Sequence, residues 1–169
     1  RGVMEGRNDQ GGPPLRKKED GDCLWEVIAS GQMQTGSTDP CSFTTEQKAL
    51  GKDDFTRIPG GMPGAETRGT LLYTYGVDQG RMTLEQMCRV LSENPAKLYG
   101  MYPQKGVIAP GSDGDIVVLR PGVEDVITAK DQFSNIDYAP FEGTEVTARI
   151  AKVFLRGQLS VSDGQVVLE

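Results

Sequence analysis

The 169-residue chain contains no histidine. That absence excludes a Ser-His-Asp or Cys-His arrangement built within this chain, and with it any zinc site that depends on imidazole. Long apolar runs are missing too. None approaches the roughly 20 residues of a membrane-spanning helix, and the sequence after Arg1 lacks the apolar core of a signal peptide, so no membrane is expected as a partner. Positive charge is not in excess: 18 Lys and Arg stand against 24 Asp and Glu, a net charge of -6. Phosphate binding needs clustered cations, so nucleic acid is not expected either. The one basic cluster, Arg16-Lys17-Lys18, is cancelled by Glu19 and Asp20 and reads as a solvated face. Cysteine is scarce. Cys23, Cys41 and Cys88 are odd in number and have no CxxC spacing, which fits a reducing compartment and makes the cytoplasm the expected location. Arg1 stands where an initiator Met would, so the chain is expected to be a piece of something longer.

What is present is a Gly-rich chain, with 22 glycines and 37% hydrophobic residues, and its mean hydropathy of -0.40 suits a globular fold. Residues 1–12 have no periodicity and read as a disordered leader or foreign junction. The paired prolines of "PPLRKKED" exclude helix there. From Asp20 onward Leu24, Trp25, Val27 and Ile28 form an apolar helical face, and Gly31 is a natural stop. "QMQTGSTD", residues 32–39, reads as a short strand that leads into a long polar loop, which suggests a βα unit of an α/β protein. Thr83-Leu84-Glu85-Gln86 is a capping box, and Leu84, Met87, Val90 and Leu91 follow at helical spacing. Asn94-Pro95 is expected to break that helix, with "PAKLYG" as one further turn. After Gly100 come β-branched runs bounded by turn residues: "GVIA", "DIVVL", "KVFLRG" and "QVVL". A domain boundary is therefore placed near residue 101.

The loop "GSTDPCSFTTEQKALGKDDFTRIPGGMPG", residues 36–64, holds the candidate chemistry. Asp39 would sit at the C-terminal end of a strand, where α/β proteins place ligand and catalytic groups; Asp39-Pro40 simply starting a turn is the rival reading. Cys41 has no nearby base to make it a thiolate. Asp53 and Asp54 are adjacent acids in a polar loop and read as solvated. The glycines of "PGGMPG" lack the Gly-Lys-Ser/Thr of a phosphate loop. A mobile substrate-facing loop, in which backbone approaches a ligand, and a plain surface loop both fit the composition. Asp113 and Asp115 flank Gly114 and are expected to shape a hairpin.

"LSENPAKLYGMYPQKGVIAPGSDGDIVVL", residues 91–119, resembles the closing signature of the amidohydrolase superfamily. "PPLRKKED", "GKDDFTRIPGGMPGAETR" and "DYAPFEGTEV" narrow the likeness to the dihydropyrimidinase and hydantoinase family, over about residues 13–169. The resemblance implies a (β/α)8 barrel with a small β-sandwich: residues 13–100 as the last part of the barrel, 101–169 as the C-terminal part of the sandwich, and an incomplete barrel in this chain. It also implies two zinc or similar ions held by histidines, a carboxylated lysine and one aspartate. A metal-bridging hydroxide would open a cyclic amide, a dihydropyrimidine or a hydantoin, with the aspartate carrying the proton. Asp39 falls on that aspartate, as metal ligand and catalytic group, in a "TDPC" where Pro40 replaces the usual histidine. Gly60 and Gly61 fall on the substrate loop, Gly60 where the family usually has an Asn whose backbone meets the substrate. The histidines and the lysine have no counterpart, so the isolated chain is expected to bind no zinc and to hydrolyse nothing alone. A homotetramer is implied by the resemblance only. A non-catalytic dihydropyrimidinase-like interaction protein and a truncated gene product are the alternatives.

Overall fold

The computed structural model describes residues 17–167; the expected disordered leader and the prolines of "PPLRKKED" lie outside them. Within the described residues the chain forms two compact units that interleave along the sequence: 17–21, 38–69 and 126–145 in one, and 22–37, 70–125 and 146–167 in the other. Helix α1, Lys18–Ala29, begins with Glu19 and Asp20 in its first turn, where acids meet the positive end of the helix dipole. Gly31, at φ 75°, ends it. None of its residues is fully buried, and Leu24 is half exposed.

The second unit has the regular architecture. Helix α3, Arg68–Leu72, enters it and widens into a π-turn over Tyr73–Asp78. A Cβ on Gly76 would lie 2.8 Å from Met82 Sδ and 3.0 Å from the Trp25 ring, so only glycine lets these side chains meet. The capping box at Thr83 forms as expected: the Gln86 N–H donates to Thr83 Oγ1 at 3.2 Å, and the Thr83 N–H to Gln86 Oε1 at 2.6 Å. Helix α4, Leu84–Cys88, then differs from expectation, because Pro95 does not break it. The chain runs through a π-turn, Arg89–Glu93, into α5, Asn94–Leu98, with Pro95 in its first turn. The wider turn would pair the Val90 carbonyl with residue 95, which has no N–H. That carbonyl accepts from the Gly36 N–H at 3.3 Å instead.

Four strands form one sheet in the order β1-β2-β3-β4: Ile116–Val126, Glu145–Leu155, Gln158–Ser162 and Gln165–Val166. β2 pairs antiparallel with β3, and β3 with β4. Two-residue turns join them, Arg156-Gly157 and Asp163-Gly164, and all four residues have positive φ. That is the mirror-image turn that matches strand twist. Residues 116–119 of "DIVVL", 152–155 of "KVFLRG" and the start of "QVVL" thus lie in strands, and β1 and β2 run longer than expected. Met87, Val90 and Ala96 from the helical run, Met82 in the bend before it, and Val146, Ala148 and Ala151 from β2 are the buried apolar side chains among the described residues of this unit.

Three local expectations are corrected. Residues 32–39 are not a strand: the Met33 N–H donates to Val27 O and the Gly36 N–H to Val90 O, single contacts that make no ladder, and without a ladder an extended segment is not a strand. "GVIA" is likewise irregular. Asp113 and Asp115 do not shape a hairpin. Both pair with the Lys105 ammonium, Asp113 at 2.8 Å, and Asp115 also accepts from the Arg156 N–H at 2.7 Å. Lys105 holds both carboxyls below the usual range, chiefly by hydrogen bonding, and is itself raised by them.

Candidate functional site

The long polar loop and its anchors make up the first unit. Thr44 caps the short helix α2, Thr45–Lys48, through a second capping box: the Gln47 N–H donates to Thr44 Oγ1 and the Thr44 N–H to Gln47 Oε1. Asp137 extends the cap by accepting from the Thr45 N–H at 2.8 Å. Lys48, at the end of α2, is 1% exposed. Its Nζ donates to the Pro59 carbonyl at 2.7 Å and the Gly61 carbonyl at 2.8 Å. The ammonium also stands 5.7 Å from the Phe43 ring centre. Nothing in the sequence reading singled out Lys48. The capping box that positions it was legible in the Thr-x-x-Gln spacing of residues 44–47, the same signal that marks residue 83.

The acids flagged in the loop take separate roles. Asp39 is exposed, and its φ of 39° puts a non-glycine residue in the left-handed region, which Asp tolerates better than most. Asp54 caps the 3-10 turn Phe55–Arg57, accepting from the Thr56 N–H at 3.0 Å and the Thr56 hydroxyl at 2.6 Å. Those bonds, the hydroxyl's first, hold its carboxyl below the usual range. Asp54 is therefore a turn former, and Asp53 beside it is exposed.

The glycine loop folds back against the start of the polar loop. The Cys41 N–H donates to the Met62 carbonyl at 3.3 Å. Gly61 has φ 137°, and a Cβ there would fall 2.3 Å from Cys41 Cβ, so both conformation and space require glycine. Gly60 differs: an added Cβ would have no heavy atom within 4 Å. Asp39 is thus two residues from the backbone bond that brings the glycine loop in. From the other side Glu66 accepts from the Phe133 and Ser134 N–H groups, both at 2.9 Å, and so ties residues 126–145 to the loop.

The donor set decides how the site stands towards a metal. Asp39 is a single exposed carboxylate, and no group of three or more His, Cys, Asp or Glu among the described residues could hold an ion. A pair of ions each needs several ligands in fixed geometry. These residues alone do not fit it. No helix among the described residues is long and apolar enough to cross a membrane.

Residues 16–160 match the Amidohydrolase family. D-hydantoinase of Geobacillus stearothermophilus is 44% identical over 165 residues, which are 97% of this chain and 35% of that protein. D-hydantoinase of Streptomyces coelicolor is 42% identical over 151 residues, 89% of this chain and 32% of its own length. Among solved structures, D-hydantoinase (dihydropyrimidinase) from Thermus sp. superposes with a TM-score of 0.97 at 46% identity, covering 100% of this chain and 37% of that one. Dihydropyrimidinase from Brevibacillus agri gives 0.96 at 42% identity, covering 99% of this chain and 36% of that one. The chain spans about a third of the length of the curated relatives it matches. It belongs to the amidohydrolase family, and within that family it resembles the hydantoinases and dihydropyrimidinases.

Proposed function

We propose that the chain supplies one wall of a cyclic-amide hydrolase site and acts only as part of a longer assembly. The likeness to hydantoinases, at a TM-score of 0.97 across the whole chain, is the observation that carries this reading. On it, residues 13–100 are the last part of a (β/α)8 barrel and residues 101–169 the C-terminal part of a β-sandwich. Ring opening of a dihydropyrimidine or a hydantoin needs a group that passes a proton to the leaving nitrogen. Asp39 is our assignment for that group and for the one metal-ligating acid of this chain. Its exposure and its closeness in sequence to the Cys41–Met62 contact support the choice.

Gly60 and Gly61 face the substrate as backbone. The open space around Gly60 is what a ligand-facing position needs, and Gly61 keeps the loop close to Cys41. Amidohydrolases work with metal ions, here two zinc or similar ions, which would polarise the amide and activate water. Their remaining ligands come from outside this chain. A cytoplasmic homotetramer is the assembly we infer. The isolated chain binds zinc no better than background and opens no ring.

The test is a hybrid in which this chain replaces the matching third of the Geobacillus D-hydantoinase. Asp39→Asn should lower its hydantoin turnover about a thousandfold or more, as loss of a ligand that also moves the proton would. A hybrid that folds, turns over hydantoin and keeps most of that activity with Asp39→Asn would rule the assignment out.

A further inference from the structure

Lys48 is the one charged side chain buried among the described residues. A buried ammonium is costly unless its hydrogen bonds are met. Two are met by carbonyls two residues apart, Pro59 at 2.7 Å and Gly61 at 2.8 Å. Among the described residues the only cis peptide is Tyr102-Pro103, so both accepting peptides are trans. In a planar trans peptide the N–H points opposite to the C=O. The Pro59 carbonyl shares its plane with the Gly60 N–H, and the Gly61 carbonyl with the Met62 N–H. Bonding both carbonyls to one ammonium therefore turns both N–H groups away from it. Neither N–H donates to an acceptor among the described residues, and Gly60 adjoins open space.

We propose that Lys48 is a positioning residue whose ammonium fixes the backbone of residues 59–62 and holds the Gly60 and Met62 N–H groups outward as donors for a carbonyl-bearing ligand. The ligand, a ring oxygen of a cyclic amide, rests on the function proposed above; the clamp does not. Charge and reach are both needed, since the ammonium must span from α2 to two carbonyls. Methionine keeps the length and loses the donors, while arginine keeps the charge and offers a planar fork in place of a point charge.

The experiment uses the full chain, isotope-labelled, with Lys48→Met and Lys48→Arg. In Lys48→Met the Cys41 N–H, bonded to the Met62 carbonyl, should exchange with solvent about tenfold faster or more, as loss of charge-assisted bonds implies. The Gly60 and Met62 amide signals should move, the ladder amides between β2 and β3 should not, and Lys48→Arg should restore much of the native pattern. Unchanged Cys41 exchange together with unmoved Gly60 and Met62 signals in Lys48→Met would overturn the clamp. Should Lys48→Met fail to fold, the native chain still decides: Lys48 should undergo reductive methylation about tenfold or more slower than exposed Lys52, and equal rates would overturn the clamp. Hydantoin added at millimolar concentration should shift the Gly60 and Met62 amides in the native chain and not in Lys48→Met. Hydantoin that moves neither signal, with the exchange results as expected, overturns the donor role and puts the fault with the ligand reading, not with Lys48.

Discussion

Among the described Ala, Val, Ile and Met side chains, the unit that carries Asp39 and the glycine loop buries only Ile127 and Ala139, whereas the other unit buries Met82, Met87, Val90, Ala96, Val146, Ala148 and Ala151. The first is held instead by polar side chains bonded to backbone: Lys48 to two carbonyls, Glu66 to two amides, and Asp54 and Asp137 to one amide each. The second is held by buried apolar side chains on its helical run and on β2, and by a strand ladder. Apolar burial is tolerant of exact placement, because area decides it. A hydrogen bond is lost once its geometry is. The contrast teaches that the loop region trades stability for a defined backbone shape, which is what a surface that meets ligand through backbone needs.

Substitutions that probe this contrast differ in size. The largest effect is expected for Gly61→Val, which meets both the φ of 137° and the Cys41 contact; it should cost at least about 3 kcal/mol in denaturant unfolding of the first unit. A neutral result would show that the loop is not held against Cys41. Val90→Ala, in the second unit, should cost about 2 kcal/mol as a cavity forms, without changing Cys41 exchange. Thr83→Ala removes a cap and should cost about 1 kcal/mol, visible as a lower Tm.

The smallest effect is that of pH on the Lys105–Asp113–Asp115 cluster. Both carboxyls are lowered in the folded state, so their contribution is full above the ordinary aspartate range of about 4 and fades as the pH falls below it. Lys105 is raised, so its share is full below the ordinary lysine range of about 10 and fades as the pH climbs past it. Tm measured against pH should therefore dip less at both ends in Lys105→Met than in the native chain. Identical profiles would mean that this partly exposed cluster contributes nothing to stability.

The two units were unequally legible in the sequence, for the same physical reason that they differ in structure. Leu84, Met87 and Val90 announced their helix by spacing, and Asp163-Gly164 announced its turn, since each signal lies within a few residues. The passage of the helix through Pro95 was not legible, because it depends on a π-turn and on Gly36 taking up a freed carbonyl from more than fifty residues away. "GVIA" and "QMQTGSTD" have strand composition, but a strand is defined by its partner, and composition does not name one. In the loop, Asp39 drew notice as an acid at the C-terminal end of an expected strand, which residues 32–39 do not form. Lys48 did not, because a lysine in a polar stretch looks solvated until the fold closes Pro59 and Gly61 over it. Asp137 and Glu66 were missed for the same reason, as their backbone partners lie 92 and 67 residues away in sequence.

The central claim is that this chain holds one wall of a site and that the chemistry belongs to the assembled protein. Hydantoin and dihydrouracil ring opening, measured side by side with zinc present for the chain alone and for the hybrid with the Geobacillus D-hydantoinase, tests it most directly. The account predicts no turnover by the chain alone and metal-dependent turnover of at least one substrate by the hybrid. Ring opening by the chain alone, or a folded, zinc-binding hybrid that opens neither ring, would contradict it.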